Sequence, residues 1–141
     1  MEIDMIGPAI AMGLGCIGSS IGCGIAGMAS HGVMTRVDEG HGKYIAYSAI
    51  PASQSIYGFI LMILMKNAIR NGTLSAIGGI GIGLFVGLAI MTSSIFQGKC
   101  AATAIQASAK QPAIYGKTGA ALGIIESFAL FAFVFAILLF S

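Results

Sequence analysis

Chemistry in this chain starts from Glu126. It stands in the last apolar run, with eight uncharged residues before it and fifteen after. An ionised carboxylate at the bilayer centre costs at least about 2.5–3.5 kcal/mol on insertion scales, so an acid kept there marks a functional site and needs a partner. If the last two apolar runs fold back about the Gln111-Pro112 turn, Gln97 and Glu126 are equally far from it and lie at one depth. Further upstream, Gln54 and Tyr57 are three apart and Ser53 and Tyr57 four apart, a spacing that puts them on one side of a helix. Pro51 cannot donate a backbone hydrogen bond and displaces the turn before it, which predicts partly unpaired carbonyls near Tyr47 and Ile50. The sum is one carboxylate, two amide oxygens, a hydroxyl, a carbonyl and a phenol. Oxygens of this kind suit a hard cation, and a single carboxylate balances a single positive charge. Sodium fits better than a divalent ion. A proton needs only Glu126 and an acceptor, so the additional oxygens favour the metal and leave the proton open. Used structurally, Ser53 and Gln54 would each contribute about 0.6 kcal/mol of interhelical bonding, and only Lys99 is placed to offset Glu126.

The elements that must position these groups are membrane helices. Of 141 residues, 57% are hydrophobic and 9% charged, against about 25% charged in an average soluble domain. The net charge of +2 is small and scattered, which excludes a nucleic-acid partner. The charges divide the chain into uncharged or nearly uncharged runs at 5–35, 44–65, 71–98 and 118–141, each long enough for the roughly 20 residues a span requires. The start MEID is acidic and the first run is too long for a signal core, so it reads as a retained span. Arg36, Lys43, Lys99, Lys110 and Lys117, five of the seven basic residues, fall on one side. The positive-inside rule makes the 29–43 and 101–117 connections cytoplasmic and both termini external. Cys16, Cys23 and Cys100 read as small packing residues, and His31 and His41 as solvated groups beside a charged loop.

Internal similarity organises the four spans. Laying Gln54-Ser-Ile-Tyr-Gly-Phe59 over Glu126-Ser-Phe-Ala-Leu-Phe131 aligns Ser55 with Ser127 and Phe59 with Phe131. The chain thus reads as two copies of one antiparallel helical hairpin, 1–70 and 71–141, an all-α membrane fold with the glutamate in the second copy. By the same fold-back, the third span continues as a helix past Gly98 and Lys99 toward Lys110, and Lys99 must snorkel or line a wet face. Gly79, Gly83 and Gly87 recur every four residues in that span, and Gly15, Ser19, Gly22 and Ala26 form a similar stripe in the first. Such stripes let helix backbones approach closely in lipid. Spans one and three are therefore expected to pack tightly with the bulkier spans two and four outside, an arrangement that suits an oligomeric ring as well as a single bundle.

Three motifs together resemble one family: Ile50-Pro-Ala-Ser-Gln-Ser-Ile-Tyr-Gly-Phe59, Phe96-Gln-Gly-Lys99 and Ile125-Glu-Ser-Phe128. The chain is similar over essentially its whole length to the rotor-ring proteolipid, the K or c subunit, of V-type and archaeal-type ATPases. That resemblance implies a double-hairpin protomer in a ring of identical copies in a prokaryotic cell membrane. Each protomer carries one ion past a stator membrane subunit while the ring turns with a central stalk. It also implies no cofactor beyond the transported sodium or proton, and a ligand set of Ile50 carbonyl, Ser53, Gln54, Gln97 and Glu126 closed over by Tyr57. In sodium-carrying members of that family the first two positions look like a leucine and a threonine. Sodium-carrying members also have a tyrosine two residues after the glutamate, where this chain has Phe128, so the departure bears on the ion and not on the fold. A four-span multidrug antiporter with one membrane glutamate is the competing class, but its organic cation calls for an aromatic cage, and this chain has no tryptophan. An oligomer packed only by glycine would not need Gln54, Gln97 and Glu126 to converge. With no nucleophile, phosphate loop or hydrolase motif, the polypeptide is expected to be non-catalytic.

Overall fold

The computed structural model describes residues 3–140; Met1 and Glu2, which precede the first run, and Ser141, the last residue of the fourth, lie outside the described residues. A 3-10 turn at Ile3–Met5 leads into α1 (Ile6–Met34), followed by α2 (His41–Ala49), a 3-10 turn at Ile50–Ala52 and α3 (Ser53–Arg70). Then come α4 (Ala76–Lys110), a 3-10 turn at Pro112–Ile114 and α5 (Tyr115–Leu138), with no strand among the described residues. Four helical units, Ile3–Met34, His41–Arg70, Ala76–Lys110 and Pro112–Leu138, are long and apolar enough to cross a bilayer. They form two antiparallel hairpins of an integral, multi-pass membrane protein.

Local sequence sets the ends. The Ser75 hydroxyl accepts the Gly78 amide at 3.1 Å and caps α4, satisfying one of the free N–H groups at a helix start. At the other end Gln111, held extended at φ −133° by the proline that follows, stops it. The short connections turn at Gly40 and Gly72, whose φ values of 78° and 77° lie in the left-handed region.

The second span runs from His41 to Arg70, longer than the apolar run alone, and it is broken at Pro51. The expected gap in hydrogen bonding at that break is absent. Tightening to a 3-10 turn lets the Ile50 amide reach the Tyr47 carbonyl. The Ser53 amide likewise reaches the Ile50 carbonyl, and the Ser53 hydroxyl adds a second donor to it at 3.1 Å. The lost proline N–H is thus compensated by i→i+3 bonds and a side chain.

α1 and α4 lie backbone to backbone. A Cβ on Gly83 would collide with the Gly7 backbone, and one on Gly98 with the Gly22 backbone. Gly15 abuts the Gln54 carbonyl and Gly58 Cα of α3, and Gly87 abuts Leu14. Gly79 instead lies under the side chains of Ile69, Leu74 and Met65. Gly7, Gly18, Gly58 and Gly98, outside the two sequence stripes, make equally close contacts. α5 sits against α3 and α4 and presents Phe128, Phe131, Val134, Phe135 and Leu138 outward. Its first turn is tied to α2: the Tyr47 hydroxyl donates to the Tyr115 carbonyl, lies 3.1 Å from Thr118 Oγ1, and the two tyrosine rings stack with centroids 4.4 Å apart.

Two apolar clusters fill the protomer. One gathers Ala11, Leu61, Met65, Ile90 and Ala129 with Tyr57 and Phe133 against it; the other gathers Ala26, Tyr44, Tyr47, Ala101, Ile105 and Leu122. Between them lies a polar layer.

Candidate ion-binding site

The polar layer is built where the Pro51 break in the second span meets the middle of α4 and α5. Gln54 and Gln97 are both 0% exposed, so each amide must find partners within the protein. Gln54 Nε2 donates to Gln97 Oε1 at 2.8 Å. Gln97 Nε2 donates to the Leu122 carbonyl at 3.0 Å and to Glu126 Oε2 at 3.4 Å. Tyr57 closes the other side, its hydroxyl donating to Glu126 Oε1 at 2.9 Å and its ring stacking on Phe133. Ser53 Oγ shares its proton between the Ile50 carbonyl and Gln54 Oε1, each at 3.1 Å.

The four residues Gln54, Tyr57, Gln97 and Glu126 therefore form one connected network, and Ser53 and the Ile50 carbonyl join it through Gln54. Glu126 itself is half-buried. Both groups that touch it, a phenol O–H and an amide N–H, are donors, so each carboxylate oxygen accepts one hydrogen bond. Lys99 is exposed and holds its ammonium 5.0 Å from the Phe96 ring centroid, outside this network. No group of three His, Cys, Asp or Glu side chains is gathered among the described residues, and the three cysteines are free.

The network also has a depth. Gln54 lies sixteen residues before Arg70 and Gln97 thirteen before Lys110, about 24 Å and about 20 Å along their helices. The polar layer is thus nearly midway between two basic ends.

Two serines belong to the site that composition alone does not single out. Ser93 Oγ donates to the Ile125 carbonyl at 2.8 Å, next to Glu126. Ser94, fully buried, donates to the Pro51 carbonyl at 2.9 Å and anchors the break in the second span to α4. Their signal is position: they precede Gln97 by four and three residues and so share its face. Ser19 contrasts with them. It is 7% exposed, it sits on α1 between Gly15 and Gly22, which touch Gln54 and Ser94, and its hydroxyl has no partner. Leaving a buried acceptor without its donor costs about 1–3 kcal/mol, while removing a hydroxyl that bonds to nothing costs little. Ser94→Ala is therefore expected to lower the unfolding midpoint in detergent and Ser19→Ala to leave it unchanged or raise it. Equal loss in both variants would refute this accounting.

Comparison with known proteins fits this geometry. The family described as the C subunit of ATP synthase matches the chain twice, over residues 6–65 and again over 80–139, one match on each hairpin. The A-type ATP synthase subunit K of Methanocaldococcus jannaschii is 34% identical over 97% of the chain, which spans 61% of that relative's length. The V-type sodium ATPase subunit K of Enterococcus hirae is 30% identical over 87% of the chain and 80% of its own length. Two matches to one family module, laid on two hairpins that close over a shared polar layer, make this chain a member of the ATP synthase C-subunit family in which the module occurs twice.

Proposed function

We propose that this chain is the ion-carrying rotor proteolipid of a V-type or archaeal-type rotary ATPase or ATP synthase. The units 1–70 and 71–141 form one protomer, identical protomers form a ring, and each carries one cation at Glu126 past a stator membrane subunit. A central stalk links the ring to a head that holds the ATP chemistry, so the polypeptide itself is non-catalytic. Both termini face outward and the 29–43 and 101–117 connections face the cytoplasm. The observation that carries this reading is the convergence of Gln54, Tyr57 and Gln97 on Glu126.

Sodium is the favoured cargo and the proton the alternative. The sodium ATPase subunit among the relatives supports this choice, as do the oxygens of Glu126, Gln97, Gln54, Ser53 and Ile50, with Tyr57 at the mouth. Receiving sodium requires the Gln97 and Gln54 amides to turn together: a half-turn of Gln97 brings its oxygen to the Glu126 side, and Gln54 must turn with it so that two N–H groups do not face each other. Gly22, Gly79, Gly83 and Gly87 serve the site by holding α1 and α4 close, and Gly15 by holding α1 against α3.

Coupling follows from desolvation. A loaded Glu126 is neutral and faces lipid at little cost, whereas the empty, charged form must stay beside the stator's aqueous path or a stator cation. Labelling of Glu126 with a hydrophobic carbodiimide tests the cargo. At alkaline pH sodium is expected to protect Glu126 while potassium at equal ionic strength does not. Labelling indifferent to sodium would assign the ring to protons.

A further inference from the structure

The second span is tied to α5 by two tyrosine hydroxyls, one inside the polar layer and one nearer the start of α5. Tyr57 donates to Glu126 itself at 2.9 Å. Tyr47, 4% exposed, donates to the Tyr115 carbonyl, lies 3.1 Å from Thr118 Oγ1 and stacks on the Tyr115 ring. Thr118, Leu122 and Glu126 recur every four residues and share one face of α5. The Tyr47 contact and the polar layer therefore lie on one seam, about 12 Å apart.

Between the two tyrosines runs the pliable part of the span. Ile50–Ala52 is a 3-10 turn around Pro51, a geometry often found at hinges. The Ile50 carbonyl accepts the Ser53 amide and the Ser53 hydroxyl, both on its own span, so no hydrogen bond described for it reaches α5. Ser94 ties the break to α4. Toward α5 there are Tyr57, Tyr47 and a long exposed contact of 3.5 Å from the Tyr115 hydroxyl to the Lys43 carbonyl. Tyr57 bonds to the very carboxylate that takes the ion, so it cannot also serve as a fixed anchor. Tyr47 can, because its partners lie two turns away from that carboxylate.

We propose that Tyr47 is a positioning residue of the ion site. By fastening α2 to the start of α5 it holds the Ile50 carbonyl and the Ser53 hydroxyl at a set distance from Glu126. The inference rests on the sodium reading above and deepens it, since cavity size and flexibility decide which cation a set of oxygens prefers. A loosened cavity binds sodium less tightly and discriminates less against the larger potassium ion.

The test uses the full-length protein in the oligomer it forms in detergent, with carbodiimide labelling of Glu126 titrated against sodium and against potassium. Tyr47→Phe keeps the ring and its stacking. It leaves the Tyr115 carbonyl another donor, the Thr118 hydroxyl at 2.8 Å, so no buried acceptor is orphaned and the chain folds. One lost hydrogen bond is worth about fivefold, so half-protection should need about five times more sodium, and the ratio of potassium to sodium required should fall. Tyr44→Phe is the control. Tyr44 is on the same helix and 6% exposed, but it lines a cleft with Glu39, Lys43 and Ser108, and no hydrogen bond described for it reaches α5; the variant should titrate like the wild type. A merely structural role would lower the unfolding midpoint of Tyr47→Phe and leave both titrations in place. That result, or an equal shift in Tyr44→Phe, would overturn the role of Tyr47 while the sodium reading stands. Sodium-indifferent labelling of the wild type would overturn both.

Discussion

Glu126→Gln is expected to assemble normally and to carry no ion-coupled turnover. The substitution keeps shape and a hydrogen-bonding side chain, so Tyr57 and Gln97 retain a partner, while the one carboxylate at this depth is gone. Removing a carboxylate that costs at least about 2.5–3.5 kcal/mol to place in the membrane also eases insertion. Loss of function in this variant is therefore separable from loss of folding. The measurements are carbodiimide incorporation, which should vanish, and sodium-dependent transport in vesicles, which should fall to background. Normal transport by Glu126→Gln would sink the proposed role of this residue.

The second large effect is steric. A Cβ on Gly22 would stand 2.5 Å from the Ser94 carbonyl oxygen and 2.8 Å from Pro51 Cβ, positions fixed by backbone and by a proline ring. Neither can swing away, so even Gly22→Ala must separate α1 from α4. Overpacking typically costs about 1–3 kcal/mol, and here the strain falls on the Ser94–Pro51 bond that anchors the second span, three residues from Gln97. Gly22→Ala should yield little folded protein, and what survives should bind its ion poorly. Gly24, two residues away, meets nothing within 4 Å. Gly24→Ala is expected to stabilise the protein by roughly 0.5–1 kcal/mol through helix propensity alone. Yield and thermal midpoint of the pair give the contrast, and similar behaviour of the two variants would contradict the close α1–α4 seam.

What can be read from residues follows from what leaves a trace in the letters. Four spans are legible because apolar runs are long and charges few. Gln97 can be set opposite Glu126 because a hairpin converts sequence distance into depth, and α4 does continue as a helix through Lys99 to Lys110. The Pro51 break is visible in the sequence, but its repair is not. Whether a proline leaves carbonyls bare depends on a change to 3-10 geometry and on the Ser53 rotamer, neither of which is a matter of composition. Ser93 and Ser94 escape notice for a related reason. Serines in membrane helices often bond back to their own helix, as Ser55 and Ser127 do here, and only the neighbouring element reveals which ones reach across. The glycine stripes mark the crowded faces of α1 and α4, yet the close contacts of Gly7, Gly18, Gly58 and Gly98, which are not among the stripe residues named, become visible only with the crossing of the helices.

The placement of the polar layer has an electrical meaning. A unit charge taken across a membrane at 100 mV gains or loses about 2.3 kcal/mol, divided according to the fraction of the field crossed. With the layer nearly midway between Arg70 and Lys110, a cation reaching Glu126 from either face crosses about half of that field, worth about 1.2 kcal/mol on each leg. Voltage then acts on filling the site from one face and on emptying it to the other in nearly equal measure. In the proposed rotor neither step alone carries the electrical work, and the membrane potential acts on both.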